Sequence, residues 1–341
     1  MSTNVDERQT AASDELPSGI QGRDAPRVVW LARIGVLFVL LQAYIYGRWI
    51  FSDQFTPAPT GSDPLSASQE FWIRCWDIVS IAACVGFLIW IVWKTVRDRA
   101  IPTLGIVTIA WMLTAWQDPG VNYIRPVFSY NDHFFNRGTW AQFIPGWVNH
   151  AGANPQPIFF WVATYSGLMV VGILGICQLL DRVRKAFPRI NKAGLLALLF
   201  LFSVISDAVA ESIWMHQGLW AYPRVNGTWS LFTGGITQLP LFEPLVFGGF
   251  VGTAATAIYY FRDSNGHMIT DTGLRKLTIK RGRTPVRVLA LCTVLNVLML
   301  VFNMGWNMVN QHADTTPTHV PSYFSSELCG LGASSACPPP K

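Results

Sequence analysis

Long apolar runs alternate with short polar segments along almost the whole chain. Seven runs approach the roughly 20 apolar residues that a helix needs to cross a bilayer. They fall at about 28–51, 72–94, 102–117, 157–180, 194–216, 240–261 and 286–309. The third is short, which predicts a tilted or half-buried helix. The pattern predicts an all-α, multi-pass membrane helix bundle over residues 28–310. A polar tail without periodicity, 1–27, precedes it and is expected to be disordered. A second tail, 311–341, follows it. The first apolar run is too long for a signal peptide, and no small-residue cleavage site follows it.

One interruption is unlike the others. The segment 118–156 is a long loop that carries carboxylate, amide, imidazole and phenol groups among large rings. A loop of that length is usually a lid, a binding loop or disorder, and its many aromatics argue against disorder. The loop is therefore expected to cover or line a binding mouth.

Composition fits the membrane reading. The chain is 51% hydrophobic and 13% charged, and it holds 15 Trp and 21 Phe. A soluble domain carries about twice that charge, and aromatic belts mark membrane interfaces. Charge then orients the bundle. Lys and Arg concentrate at Arg8, Arg23, Arg27 and Arg33, then around Lys94 to Arg99, Arg182 to Lys192, and Arg262 to Arg287. The intervening segments hold few. The positive-inside rule puts the N-terminus in the cytoplasm and the C-terminus outside the cell membrane. The net charge of +5 thus reports topology and contact with an anionic lipid bilayer, and no nucleic-acid partner is expected. Cys75, Cys84, Cys177 and Cys292 read as small core residues. Cys329 and Cys337 lie in the outer tail, where a disulfide would be stable, and the sequence leaves their pairing open.

Polar groups inside the apolar runs are the candidate chemistry. Asp207 and Glu211 are four residues apart, so they share a helix face, with His216 at the outer end. Two carboxyl groups side by side in a low dielectric cannot both ionise easily, so one is expected to hold its proton and act as an acid. The competing reading pairs one of them with an Arg or a backbone donor from a neighbouring helix. Arg74 and Asp77, three apart, read as a structural ion pair. Glu243, followed by Pro244, reads equally as a helix cap or as a pocket group. Asn296, Asn303, Asn307 and Asn310 form one stripe on the last helix. Such a stripe either bonds neighbouring helices or lines a cavity, and its depth, level with Asp118, Glu211 and Glu243, favours a cavity. Gly248, Gly249 and Gly252 read as packing contacts.

Several classes are excluded. No span carries an internal Lys, which rules out a retinal Schiff base. The histidines form no closely spaced ligand pairs, which leaves only a metal site assembled from distant loops, and none is assigned. There is no Walker sequence, no GxGxxG opening a helix and no Gly-x-Ser-x-Gly elbow. Two similar halves are not evident, which weakens a repeat-built transporter. What survives is an outer-half pocket suited to acid–base catalysis on a lipophilic small molecule. An acid would protonate the substrate, and a second carboxylate and aromatic faces would stabilise the cation.

The loop's own motifs point further. Trp116-Gln117-Asp118-Pro119, Asn122-Tyr123, Phe128-x-Tyr130-Asn131, Asn136-x-Gly138-x-Trp140 and Ile144-Pro145-Gly146-Trp147 resemble those of the AveC-like spirocyclases. These are actinobacterial membrane proteins named for the spiroketal-forming enzyme of avermectin biosynthesis. The resemblance covers most of the chain. It implies cyclisation of a dihydroxy-ketone to a spiroketal with loss of water, a reaction that needs no redox cofactor. It does not supply catalytic residues, so those rest on the carboxylate argument. Asp118 and Glu211 are the leading acid–base pair, with Asp207 and Glu243 beside them. The expected substrate contacts are Gln117, Asn122, Tyr123, Tyr130, Asn131, His133, Trp140, His216, Asn303 and Asn307. Two other readings compete. One is a membrane terpenoid-type cyclase using the same carboxylates. The other is a non-enzymatic lipid or small-molecule binding or proton-coupled transport protein.

Overall fold

The structure, a computed structural model, describes residues 27–149, 154–277 and 282–324. Most of the N-terminal tail and both tail cysteines, Cys329 and Cys337, lie outside the described residues. The fold is all-α. Among the described residues five helices are long and apolar enough to cross a membrane: α1 (Arg27–Ile50), α2 (Ala67–Asp98), α4 (Ile158–Ala186), α5 (Lys192–His216) and α7 (Arg283–Asn310). The protein is membrane-embedded on that basis. Two apolar elements are shorter or irregular. The helix α3 (Thr103–Met112) stops early. The element α6 starts as a π-helical stretch, Glu243–Gly252, and continues as an α-helix, Thr253–Tyr260.

Local chemistry explains several boundaries. Ser66 and Gln69 form a reciprocal capping box at the start of α2, so two otherwise orphaned backbone N–H groups are satisfied. The Asn191 side chain caps α5 by accepting from the Gly194 amide at 2.8 Å. After α3 the chain tightens into a 3-10 turn, Ala115–Asn122, that contains Pro119. Proline cannot continue an α-helical ladder. The expected third span, 102–117, is a ten-residue helix followed by this turn.

Helix α7 runs through the middle of the bundle with α1 along its side. Gly35 of α1 lies so near the Leu289 carbonyl that an added Cβ would sit 2.2 Å from its oxygen. The segments between helices gather into two clusters. On the basic face, Val28 donates its amide to the Thr272 carbonyl at 3.2 Å, and Thr103 bonds the Gly266 carbonyl at 3.0 Å. There Arg287 pairs with the buried Asp271 at 2.9 Å. On the opposite, loop-rich face, β1 (Ser129–Tyr130) pairs antiparallel with β2 (Trp220–Ala221), Tyr130 facing Trp220. The strands β3 (Ser230–Leu231) and β4 (Leu239–Pro240) form a second small ladder. Residues 311–324 return across this face: Thr315 bridges Val225, and the Asp132 amide donates to the Tyr323 carbonyl at 2.9 Å.

Candidate functional site

A cavity of about 410 Å³ lies inside the bundle beneath the β1–β2 ladder. Four carboxyl groups from three segments line it: Asp118 from the turn after α3, Asp207 and Glu211 from α5, and Glu243 from α6. The rest of the wall is largely aromatic and aliphatic. Among the described residues no Lys, Arg or His lines it.

Two of the carboxyl groups are clamped by donors. Asp118 lies in the 3-10 turn, Ala115–Asn122, that follows α3. It accepts from Tyr165 Oη at 3.0 Å and from Tyr130 Oη at 3.1 Å. Glu211 Oε2 accepts from the Trp220 indole N–H and the Tyr222 hydroxyl, each at 2.9 Å. Trp220 and Tyr222 are two apart on an extended segment, so both side chains leave the same side of the backbone and reach one oxygen.

The other two carboxyl groups face each other. Asp207 and Glu243 come together where α5 and α6 touch, and no protein N–H or O–H donor reaches Asp207 Oδ2 or Glu243 Oε2. Ionised carboxylates only accept hydrogen bonds. A proton shared between the two would give both a partner. Gly248 makes the approach of α6 to α5 close enough, because a Cβ there would stand 2.5 Å from Asp207 Cβ. Further polar atoms on lining residues have no protein partner. They are the Trp111 and Trp306 indole N–H groups, Ser203 Oγ and Asn303 Oδ1. Buried polar atoms without partners are few in native proteins, and a cluster of them in one cavity fits an oxygen-bearing ligand.

The backbone around the cavity is irregular where the chemistry sits. Thr164–Leu168, inside α4, is a π-helical turn that carries Tyr165. The π-helical start of α6 carries Glu243 and Gly248. Such bulges often occur at functional sites because they re-aim side chains that a regular helix would point elsewhere.

Of the ten expected substrate contacts, Tyr130 and Asn303 line the cavity. The other eight do not, and their side chains are used to hold the fold. Gln117 donates to Asn296 Oδ1 at 2.8 Å, and Asn122 donates to the Phe128 carbonyl at 2.8 Å. Tyr123 bonds the Gly146 carbonyl at 2.7 Å, and Asn131 bonds the Gly218 carbonyl at 2.9 Å. Trp140 is a core residue whose indole donates to the Trp116 carbonyl at 2.9 Å. Asn307 donates to the Gly120 carbonyl at 2.8 Å. His133 packs its ring 6.0 Å from that of Tyr323, and His216 is exposed, with Nδ1 bonded to the Ser212 carbonyl at 2.7 Å. Amides in a loop that crosses a helix bundle are consumed by the loop's own backbone groups, which water does not reach. The asparagine stripe divides for the same reason. Asn296, Asn307 and Asn310 bond backbone and side-chain groups, and only Asn303 lines the cavity. Arg74 and Asp77 form the expected ion pair, at 3.6 Å.

Sequence reasoning missed Tyr165, Trp220 and Tyr222. The signals were present: a polar Thr-Tyr-Ser-Gly stretch inside an apolar run, and a Trp-x-Tyr alternation directly after the Glu211 helix.

The family model described as Spirocyclase AveC-like matches residues 96–328. The chain belongs to the AveC-like spirocyclase family. Every residue that lines the cavity falls inside the matched segment of this spirocyclase-family chain. No curated protein and no solved structure matches the chain.

Proposed function

We propose that this protein is a multi-pass cell-membrane enzyme that closes a lipophilic dihydroxy-ketone into a spiroketal by acid–base catalysis. The observation that carries the reading is the meeting, in one cavity, of a donor-clamped carboxylate, Glu211, with the carboxyl groups of Asp207 and Glu243, each of which has an oxygen without a protein donor. Family membership supports a cyclase-type role.

The steps balance without an external oxidant, reductant or cofactor. One substrate hydroxyl adds to the ketone carbon. Its proton passes to a carboxylate, and the carbonyl oxygen takes a proton from the Asp207–Glu243 pair, giving a hemiketal. The regenerated acid then protonates the hemiketal hydroxyl, the C–O bond breaks and water leaves. The resulting oxocarbenium ion lies among aromatic faces and ionised carboxylates that stabilise positive charge. The second hydroxyl attacks that carbon and gives its proton to Glu211 or Asp118, from which it passes back to the Asp207–Glu243 pair and restores the acid. The Trp111 and Trp306 N–H groups and Asn303 Oδ1 orient the substrate oxygens, which selects the face attacked. The apolar wall keeps bulk water from capturing the cation.

The same reading counts seven spans, adding α3 and α6 to the five long helices. Its orientation puts the basic face in the cytoplasm and the loop-rich face outside, as the Lys and Arg distribution requires. Reporter fusions at the two ends test this, and equal cytoplasmic signals would refute it.

The decisive assay places purified protein in lipid nanodiscs with a synthetic long-chain dihydroxy-ketone and resolves product enantiomers by chiral chromatography. One enantiomer in excess, formed faster than in protein-free discs, is the expected result. A racemic product at the background rate would overturn the proposal. Accumulation of unreacted ketone in proteoliposomes under a proton gradient would instead assign transport.

A further inference from the structure

The cavity is closed above and below but not at its side. On the loop-rich face Trp306, Tyr222 and Trp220 cover it, with exposures of 1%, 2% and 4%. Toward the basic face α4 and α5 are packed together. There Leu180, Leu195 and Leu199 form a small core with Ile176 and Leu198. Nearer the loop-rich face the two helices present stripes to the cavity. Thr164, Leu168 and Gly172 follow one face of α4, and Ser203, Asp207 and Ala210 follow one face of α5. The edges of these stripes reach the outer surface of the bundle. Val171 is 53% exposed, and Gly172 and Ser206 are exposed, yet all three line the cavity. A methyl group added at Gly172 would meet nothing within 4 Å. This surface belongs to two membrane-crossing helices, so what lies outside the gap is hydrocarbon.

We propose that the gap between α4 and α5 is a lateral portal. Through it a molecule with a long apolar chain enters from the bilayer, its oxygenated end leading to the carboxyl groups and its chain resting between Val171 and Ser206. Gly172 sets the portal's width. The proposal rests on the cyclase reading for the identity of the oxygenated end, and its test separates the two.

The first arm introduces Gly172→Trp and compares a long-chain dihydroxy-ketone with a short-chain, water-soluble analogue of the same head. A fall of at least about tenfold in kcat/KM for the long substrate, with the short one nearly unchanged, is expected. Unchanged turnover of both would overturn the portal. So would equal loss of both in a variant that melts like the parent, because Gly172 would then belong to the reacting chamber. The second arm needs no turnover. A long-chain dihydroxy-ketone with a diazirine at its hydrocarbon end is photolysed in nanodiscs, and the labelled residues are mapped by mass spectrometry. Labels at 171–176 and 203–210 are expected, whereas labels confined to 128–130 and 218–222 would overturn the portal. Labelling in the gap without any cyclisation would leave the portal standing and refute the cyclase.

Discussion

Tyr130 and Trp220 face each other across the two-residue β-ladder, and each donates to a different carboxylate. Tyr130 reaches Asp118 at 3.1 Å, and Trp220 reaches Glu211 at 2.9 Å. One register therefore fixes the separation of two acidic groups that lie 93 positions apart in the chain. A slip of one residue would turn both side chains to the opposite face of the ladder and release both clamps.

Glu211→Gln keeps the size of the side chain and removes its capacity to take a proton. Turnover should fall on the order of a hundredfold to ten-thousandfold, while the variant still inserts and keeps its melting temperature within a few degrees. Chiral product analysis and a thermal melt of the same preparation check both halves. Full activity would remove Glu211 from the mechanism.

Tyr165→Phe deletes one of the two donors to Asp118 and leaves the ring in place. A hydrogen bond to a charged group is worth about 1.5–3 kcal/mol. Turnover should drop about tenfold to a hundredfold, less than for Asp118→Asn, with little change in substrate affinity. Steady-state kinetics on the two variants give the comparison. If Tyr165→Phe matched the parent, the clamp would have no part in the reaction.

Much of this arrangement was legible in the sequence. Among the described residues the apolar runs located the five long helices and the two shorter apolar elements α3 and α6, and the carboxyl groups within or beside them line the cavity. The role of the aromatic loop was only half legible. Its groups are polar and numerous, but which of them face a cavity depends on where its backbone N–H and C=O groups find partners. Asn122 and Gln117 are consumed in that way. The π-helical turns were not legible at all, since an extra residue per turn leaves no mark on an apolar stretch. Tyr165 is aimed by such a turn, and so escaped notice.

Gly248→Ala places a methyl group 2.5 Å from Asp207 Cβ, and α5 and α6 must part to admit it. Overpacking of this kind costs about 1–3 kcal/mol. The melting temperature in detergent should fall, and turnover should fall further than the melt alone explains, because the Asp207–Glu243 contact is stretched. A variant that is destabilised but fully active would show that the contact is dispensable.

Asn296→Leu tests the structural part of the asparagine stripe. Asn296 Oδ1 accepts from Trp116 Nε1 at 2.9 Å and from Gln117 Nε2 at 2.8 Å. Leucine strands the Trp116 donor and leaves Gln117 Nε2 only the Asn296 backbone carbonyl, at 3.2 Å, at a cost of about 1–3 kcal/mol. The expected outcome is a lower melting temperature together with loosening of the Asp118 turn, read as faster hydrogen exchange over 115–122. Unchanged exchange there would mean that the turn is held by other contacts.

Acid should release the 311–324 segment from the loop-rich face. Asp63 accepts the Ser322 amide at 2.7 Å, and this bond holds its carboxyl below the ordinary 3.8. A carboxyl depressed on folding stabilises the folded form above its unfolded value, and that contribution disappears as pH falls through the folded value. Protection of the Ser322 amide should therefore decline below about pH 4, and Asp63→Asn should flatten the decline. An identical pH profile in the variant would refute the link.

The contact between Asp207 and Glu243 also bears on bioenergetics. Spiroketal closure releases water but neither consumes nor produces a net proton, so a carboxyl pair that lends its proton recovers it within each cycle. Among the described residues no Lys, Arg or His lines the chamber. The catalyst would then run at the same rate in a de-energised membrane as in one under full proton-motive force, driven only by the stability of the rings it closes.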